Sequence, residues 1–158
     1  SPVLDDVTIA VMDPSFWVHP GFTSFQLDPN VHPTLAQQLV YEFLLSGEPS
    51  GLRRSIRERL LASQLTARFG RAKVLELYLN TAYYGHLAYG ADEAAQVYLG
   101  KSASQLNLAE AALLVGVAQT PALNPIDAPD AARIRQKQVL DSLLAEQKIT
   151  SEEYQAAT

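Results

Sequence analysis

Apolar positions recur at three- and four-residue intervals along nearly the whole chain, and no segment shows the two-residue alternation of a half-buried strand. Val3, Val7, Ala10 and Val11 mark a first helix over residues 3–12. Pro14 and Pro20 then force a loop that carries Phe16, Trp17 and His19. The stretch 21–33 is irregular, with Asp28-Pro29-Asn30 as a turn signal. Pro33 suits the first turn of a helix that continues to Leu45. After a Ser/Gly/Pro loop at 46–51, the strongest helix spans Leu52 to Phe69. Leu52, Ile56 and Leu60 line one face and Leu61 and Leu65 another, which predicts a central helix packed by neighbours all round. Gly70 ends it, and the next helix begins near Ala72. Helix resumes at 91–97, then over an alanine-rich run at 109–117 stopped by Pro121 and Pro125, and again over 129–146 with Leu140, Leu143 and Leu144. Thr150-Ser151-Glu152-Glu153 opens a short terminal helix with acidic residues in its first turn. The pattern predicts a nearly all-α chain without internal repeats.

Composition narrows the class. At 158 residues the expectation is one domain, 1–158. Hydrophobic residues at 47% and charged ones at 18% describe a folded chain able to bury a core. A net charge of −5 argues against a nucleic-acid binder. The absence of cysteine excludes disulfides, thiolate metal sites and a cysteine nucleophile. The three histidines, His19, His32 and His86, lack the spacing of a ligand set, so no metal and no cofactor is expected. No apolar run reaches the length of a membrane span and no signal peptide is present. Ser1-Pro2 reads as a cut edge, and any membrane anchor of the natural protein is expected outside this chain.

The most specified stretch is Val74–Lys101, VLELYLNTAYYGHLAYGADEAAQVYLGK. Five tyrosines and the glycines Gly85, Gly90 and Gly100 are more than a helical bundle needs, and glycine at such places marks a backbone path that requires positive φ or close approach. Leu75, Glu76, Tyr78, Leu79, Asn80, Tyr83, Gly85, Ala88, Tyr89, Gly90, Ala94, Ala95, Tyr98, Gly100 and Lys101 fall in register with I-L-E-x-Y-L-N-x-x-Y-F-G-x-G-A-Y-G-x-x-x-A-A-x-x-Y-F-G-K. By that motif the chain resembles the glycosyltransferase domain of penicillin-binding proteins and monofunctional peptidoglycan transglycosylases. Residues 106–125 resemble a further, mainly scaffolding, segment of the family through Glu110, Ala111, Ala112, Gly116, Pro121, Asn124 and Pro125. The resemblance covers about residues 4–155. It implies a mostly helical, lysozyme-like architecture and a bacterial cell-envelope location, at the outer face of the inner membrane or in the periplasm. The implied partners are a lipid-linked peptidoglycan precursor or glycan strand, the membrane surface and other cell-wall synthesis proteins.

The resemblance also implies a mechanism: a glutamate base deprotonates an acceptor sugar hydroxyl, which attacks the donor's anomeric carbon and expels a lipid diphosphate. Such a step needs a carboxylate in hydrogen-bond reach and cations at the leaving group. The family's E-D-x-x-F-x-x-H-x-G reads here Met12-Asp13-Pro14-Ser15-Phe16-Trp17-Val18-His19-Pro20-Gly21. Met12 occupies the glutamate position, and a thioether accepts no proton. Asp13 is either a replacement base or a hydrogen-bond acceptor at a helix end, and His19 fixes the loop or touches substrate. The second motif, G-G-S-T-I-T-Q-Q-L-x-K-N, reads Val31-His32-Pro33-Thr34-Leu35-Ala36-Gln37-Gln38-Leu39-Val40-Tyr41-Glu42. Thr34, Gln37 and Gln38 remain as candidate substrate contacts, while the glycines and the lysine are lost. The third, R-K-x-x-E, keeps Arg54 and Glu58 and has Ser55 for its lysine. Glu58 is either a donor-side catalytic group or the partner of an ordinary i,i+4 ion pair with Arg54. Glu76 and Glu110 are expected to be buried structural carboxylates. Only twelve residues separate His19 from His32, a shortened version of the family's jaw that keeps Phe22, Phe25 and Leu27.

The mismatches gather on chemistry and spare the scaffold. That predicts a degenerate domain that binds precursor or glycan and turns it over slowly or not at all. The alternatives are a working transferase with Asp13 or Glu58 as base, and a hydrolase with Glu58 as acid, for which no second carboxylate stands out.

Overall fold

The computed structural model describes residues 1–23, 28 and 30–158; Phe25 and Leu27 of the shortened jaw lie outside the described residues. Among the described residues eight α-helices follow one another: α1 (Pro2–Met12), α2 (Leu35–Val40), α3 (Leu52–Phe69), α4 (Arg71–Thr81), α5 (Ala91–Leu99), α6 (Leu108–Gln119), α7 (Pro129–Ala145) and α8 (Ser151–Ala157). No strand occurs among the described residues, and the one bridge pairs Tyr83 with Tyr89. The all-α expectation holds. The helix predicted to run unbroken from Pro33 to Leu45 differs in detail. Thr34 is its N-cap, so Pro33 lies outside, and the last turn, Tyr41–Leu45, widens to π-helical geometry. The chain forms two compact units, residues 12–78 and residues 1–11 with 79–158.

In the unit 1–11 and 79–158, the alanines read from the sequence as small packing residues do that job. Ala111 and Ala112 on α6 and Ala132 on α7 are fully covered, beside Leu114, Val115, Leu140 and Leu143. A Cβ on Gly116 would come within 3.0 Å of the Arg135 side chain, so α6 and α7 approach closely. A capping box opens α6: Asn107 accepts from the Glu110 N–H and the Glu110 carboxylate accepts from the Asn107 N–H. Glu110 also accepts from Lys101 Nζ at 2.6 Å. It ties the start of α6 to Lys101, as a structural carboxylate would, but is half-buried and not buried as expected. Glu76 departs further: it lies on the solvent side of α4 and pairs with Lys73 at 2.6 Å. The glycine-rich path is realised as a two-residue turn, where Ala88 N–H donates to Gly85 O at 2.8 Å across His86 (φ 48°) and Leu87 (φ 62°). A Cβ on Gly85 would strike the Pro121 carbonyl, and one on Gly90 would lie 2.7 Å from the Asn80 carbonyl.

In the unit 12–78, α2, the π turn and α3 pack together. Here the expectation for α3 is reversed. Leu52, Ile56 and Leu60 face solvent at 69%, 49% and 58% exposure, and the buried face is Arg54, Ser55, Glu58, Ala62 and Thr66. Helical spacing alone does not say which stripe is covered. Burying a polar stripe is tolerable only where partners await it, and α2 with the loop before it supplies them.

Candidate functional site

Within the unit 12–78 the site is built on the junction between the loop after Met12 and the start of α2. Asp13 is 1% exposed. Its Oδ1 accepts from His19 Nε2 at 2.8 Å and its Oδ2 from the Leu35 N–H at 3.1 Å. The other His19 nitrogen, Nδ1, accepts from the Gly21 N–H at 2.9 Å, which leaves the imidazole proton on Nε2. Burial pushes the Asp13 carboxyl upward, against the opposing hydrogen bonds from His19 and Leu35. Arg71 seals the loop from α4, donating to the carbonyls of Phe16 at 3.0 Å and His19 at 2.7 Å. Thr34, fully buried, caps α2 by accepting from the Gln37 N–H at 3.1 Å, and its hydroxyl donates to the Gly21 carbonyl at 2.7 Å. Gly21 lies so close to α3 that a Cβ would meet the Ala62 carbonyl and the Thr66 hydroxyl.

One step further along α2 and α3 stands the second half of the site. Gln37, expected to be surface polarity if not a substrate contact, is 1% exposed, and its Nε2 donates to Glu58 Oε1 at 2.8 Å. The other Glu58 oxygen, Oε2, lies 2.8 Å from His32 Nδ1. The four-residue spacing suggests an ion pair between Glu58 and Arg54, yet the two oxygens of Glu58 are taken by Gln37 and His32. Arg54 reaches instead to the Glu48 carbonyl at 3.0 Å and Asn30 Oδ1 at 3.5 Å, with its guanidinium 5.2 Å from the Tyr41 ring centroid. His32 stacks on Tyr41, with centroids 3.9 Å apart and planes 16° from parallel. Gln38 donates to the His32 carbonyl at 3.2 Å.

The structure thus brings Thr34, Gln37, Gln38, Arg54 and Glu58 together, and ties Asp13 and His19 into the adjoining loop. Met12, the last residue of α1, is half-buried. The residues missed by sequence reasoning are His32 and Tyr41, which look there like separate losses of a glycine and a lysine. The available signal was that both became aromatic, nine positions apart on the segment leading into and along one short helix. Among the described residues no group of three His, Asp or Glu side chains could hold a metal ion, and no helix is long and apolar enough to cross a membrane.

A family model described as Transglycosylase matches residues 33–144. The chain is 43% identical over 118 residues to penicillin-binding protein 1A of Neisseria lactamica, covering 74% of this chain and 15% of that protein. To penicillin-binding protein 1A of Neisseria flavescens it is 37% identical over 161 residues, covering 94% and 20%, and to that of Aquifex aeolicus 44% over 125 residues, covering 78% and 17%. The crystal structure of penicillin-binding protein 1A from Haemophilus influenzae matches with a TM-score of 0.53 at 40% identity, over 55% of this chain and 13% of that one. The chain therefore spans about a fifth or less of the length of these relatives. The matched region of the family model begins after the loop that holds Met12, Asp13 and His19.

Proposed function

The chain belongs to the transglycosylase family, and from that premise we propose that residues 1–158 act as one peptidoglycan-glycosyltransferase-type domain that binds lipid-linked precursor or glycan strand and polymerises it far more slowly than an intact family member. The observation that carries this reading is the fate of the carboxylates. Met12 stands where the family pattern has its glutamate, both oxygens of Asp13 are committed to His19 and Leu35, and both oxygens of Glu58 are committed to Gln37 and His32. A base must reach the hydroxyl it deprotonates, and its loss costs about 10²–10⁴ in rate. Tyr41 and Ser55 replace two lysines of the pattern, which removes charge from the leaving diphosphate and lowers the rate further. Of the polar residues that remain, Gln38 is partly exposed and open to a ligand, while Thr34, Gln37 and Arg54 are buried and hold the frame of the site through defined hydrogen bonds.

The exposed stripe Leu52, Ile56 and Leu60, flanked by Arg53 and Arg57, supports a location against an anionic bilayer, where the lipid-linked end of the precursor would lie. A site at the outer face of the inner membrane, among other cell-wall synthesis proteins, follows from the same reading. The test is a pair of measurements on lipid-linked disaccharide in detergent, with an active penicillin-binding protein 1A as control. Binding with polymer formation at least about 10²-fold below the control is expected. Polymerisation at the control's rate would overturn the reading and direct attention to Asp13 and Glu58 as bases.

A further inference from the structure

We propose that His32, oriented by Glu58, is the proton acceptor of this site, in place of the carboxylate absent at Met12. This rests on the reading above in one respect, that the ligand brings a sugar hydroxyl and a glycosyl diphosphate to the site. Gln37 Nε2 can only donate, so it fixes Glu58 Oε1 as an acceptor and turns Oε2 towards the ring. With the 2.8 Å contact to Glu58 Oε2 made by Nδ1–H, the lone pair of the neutral imidazole is on Nε2. Nε2 makes no hydrogen bond among the described residues. The His32 side chain is 15% exposed and that of Glu58 is 4% exposed, so the carboxylate is shut in while the ring reaches the surface of the site.

The imidazole is also immobilised. Tyr41 stacks along its face, and Gln38 holds its backbone carbonyl. Two residues on, Thr34 is bonded to the Gly21 carbonyl, and Leu35 is bonded to Asp13, the neighbour of Met12. The segment carrying His32 and the one carrying Met12 are therefore joined by these two hydrogen bonds. A base within reach of its substrate, itself oriented by a buried third group, is the arrangement that activates hydroxyls in unrelated enzymes. Here the acceptor sugar oxygen would form the bond to the donor's anomeric carbon and its proton would pass to Nε2. The bond from that carbon to the diphosphate oxygen breaks with its electron pair leaving on the diphosphate. The imidazolium formed is balanced by Glu58 and returns its proton to solvent.

A histidine that merely covers Glu58 would show the same hydrogen bond, so the test turns on chemical rescue. Slow polymer formation from lipid-linked disaccharide is followed for the wild-type chain, His32→Gly and Glu58→Gln, with precursor binding and thermal unfolding measured in parallel. His32→Gly is expected to bind precursor and to lose at least about tenfold in rate, and free imidazole in the buffer is expected to restore it. Glu58→Gln, which removes the orienting acceptor and leaves the ring in place, is expected to lower the rate without abolishing binding. In a Met12→Glu background the His32→Gly effect should shrink. The assignment is overturned if the wild-type chain binds precursor and forms no polymer, if His32→Gly is as fast as wild type, or if imidazole does nothing for a folded, ligand-binding His32→Gly chain. Failure of the wild type to bind precursor or glycan at all would instead sink the binding reading, and this inference with it.

Discussion

The carboxylate of Asp13 has no oxygen to spare. One accepts from His19 and the other from the first N–H of α2, and the His19 ring cannot reverse its role because Gly21 N–H occupies its other nitrogen. Asp13→Asn keeps the shape but presents an NH₂ to one of the two donors, leaving that donor unsatisfied in a buried place. The expected cost is about 1–3 kcal/mol, read as a lowered denaturant midpoint with unchanged slope. If Asp13 were instead a working base, the same substitution would abolish turnover and leave stability nearly untouched. Met12 is the complementary case. It is half-buried at the end of α1, so a glutamate can be accommodated, and Met12→Glu is expected to raise polymer formation by about 10²-fold. No gain in a folded variant would mean that the losses at Tyr41 and Ser55 limit the reaction on their own.

At the scale of elements, helix positions were legible because their apolar period is local, and helix environments were not, because they depend on residues far away in sequence. On α3 the leucine stripe was plain, yet it faces solvent, since Gln37 and His32 satisfy Glu58 and make the polar face the buried one. The same holds for the site: Glu58, Gln37 and Arg54 could be singled out by register, whereas for His32 and Tyr41 the sequence showed only that both positions are aromatic, and their spacing does not say that the two rings meet. The turn at 85–88 is a third instance. Leu87 stands there at φ 62°, 85% exposed, at the position where the motif quoted for the resemblance has glycine. A branched side chain in the left-handed region costs about 1–2 kcal/mol, partly offset by the greater unfolded freedom of glycine. Leu87→Gly is therefore expected to stabilise by about 0.5–1 kcal/mol, a rise of about 1–4 °C in the calorimetric midpoint. At the start of α6, burial raises the Glu110 carboxyl, but the hydrogen bonds from Lys101 and Asn107 outweigh it and hold the group below its ordinary value. A depressed carboxyl stabilises the fold above the unfolded value and loses that contribution as pH falls through the folded one. Glu110→Gln, which preserves the capping box, should be less stable than wild type at neutral pH by about 0.3–1 kcal/mol. The gap should close on acidification below about 4.5, followed by thermal melts across that range.

Across the whole molecule, charge is divided unevenly. The unit 1–11 and 79–158 carries eleven acidic and five basic side chains, whereas the unit 12–78 carries six acidic and seven basic ones. The overall −5 thus conceals a unit with a small positive excess, and that is the unit that holds the candidate site. Five of its basic residues, Arg53, Arg54, Arg57, Arg59 and Arg68, are on α3, the helix that also exposes Leu52, Ile56 and Leu60. An apolar stripe beside arginines is suited to the headgroup region of an anionic bilayer and poorly suited to water. Co-sedimentation with vesicles containing anionic lipid is expected to exceed that with neutral vesicles and to weaken as salt is raised, because the attraction is screened within a Debye length. Replacing all three, Leu52→Ser, Ile56→Ser and Leu60→Ser, should reduce vesicle binding several-fold while shifting the thermal midpoint by no more than about 3–6 °C, since exposed positions contribute within about 0.5 kcal/mol each and about 1.5 kcal/mol together. Arg53→Gln should reduce only the anionic-lipid component. Equal binding by the triple variant would show that the stripe does not meet the bilayer.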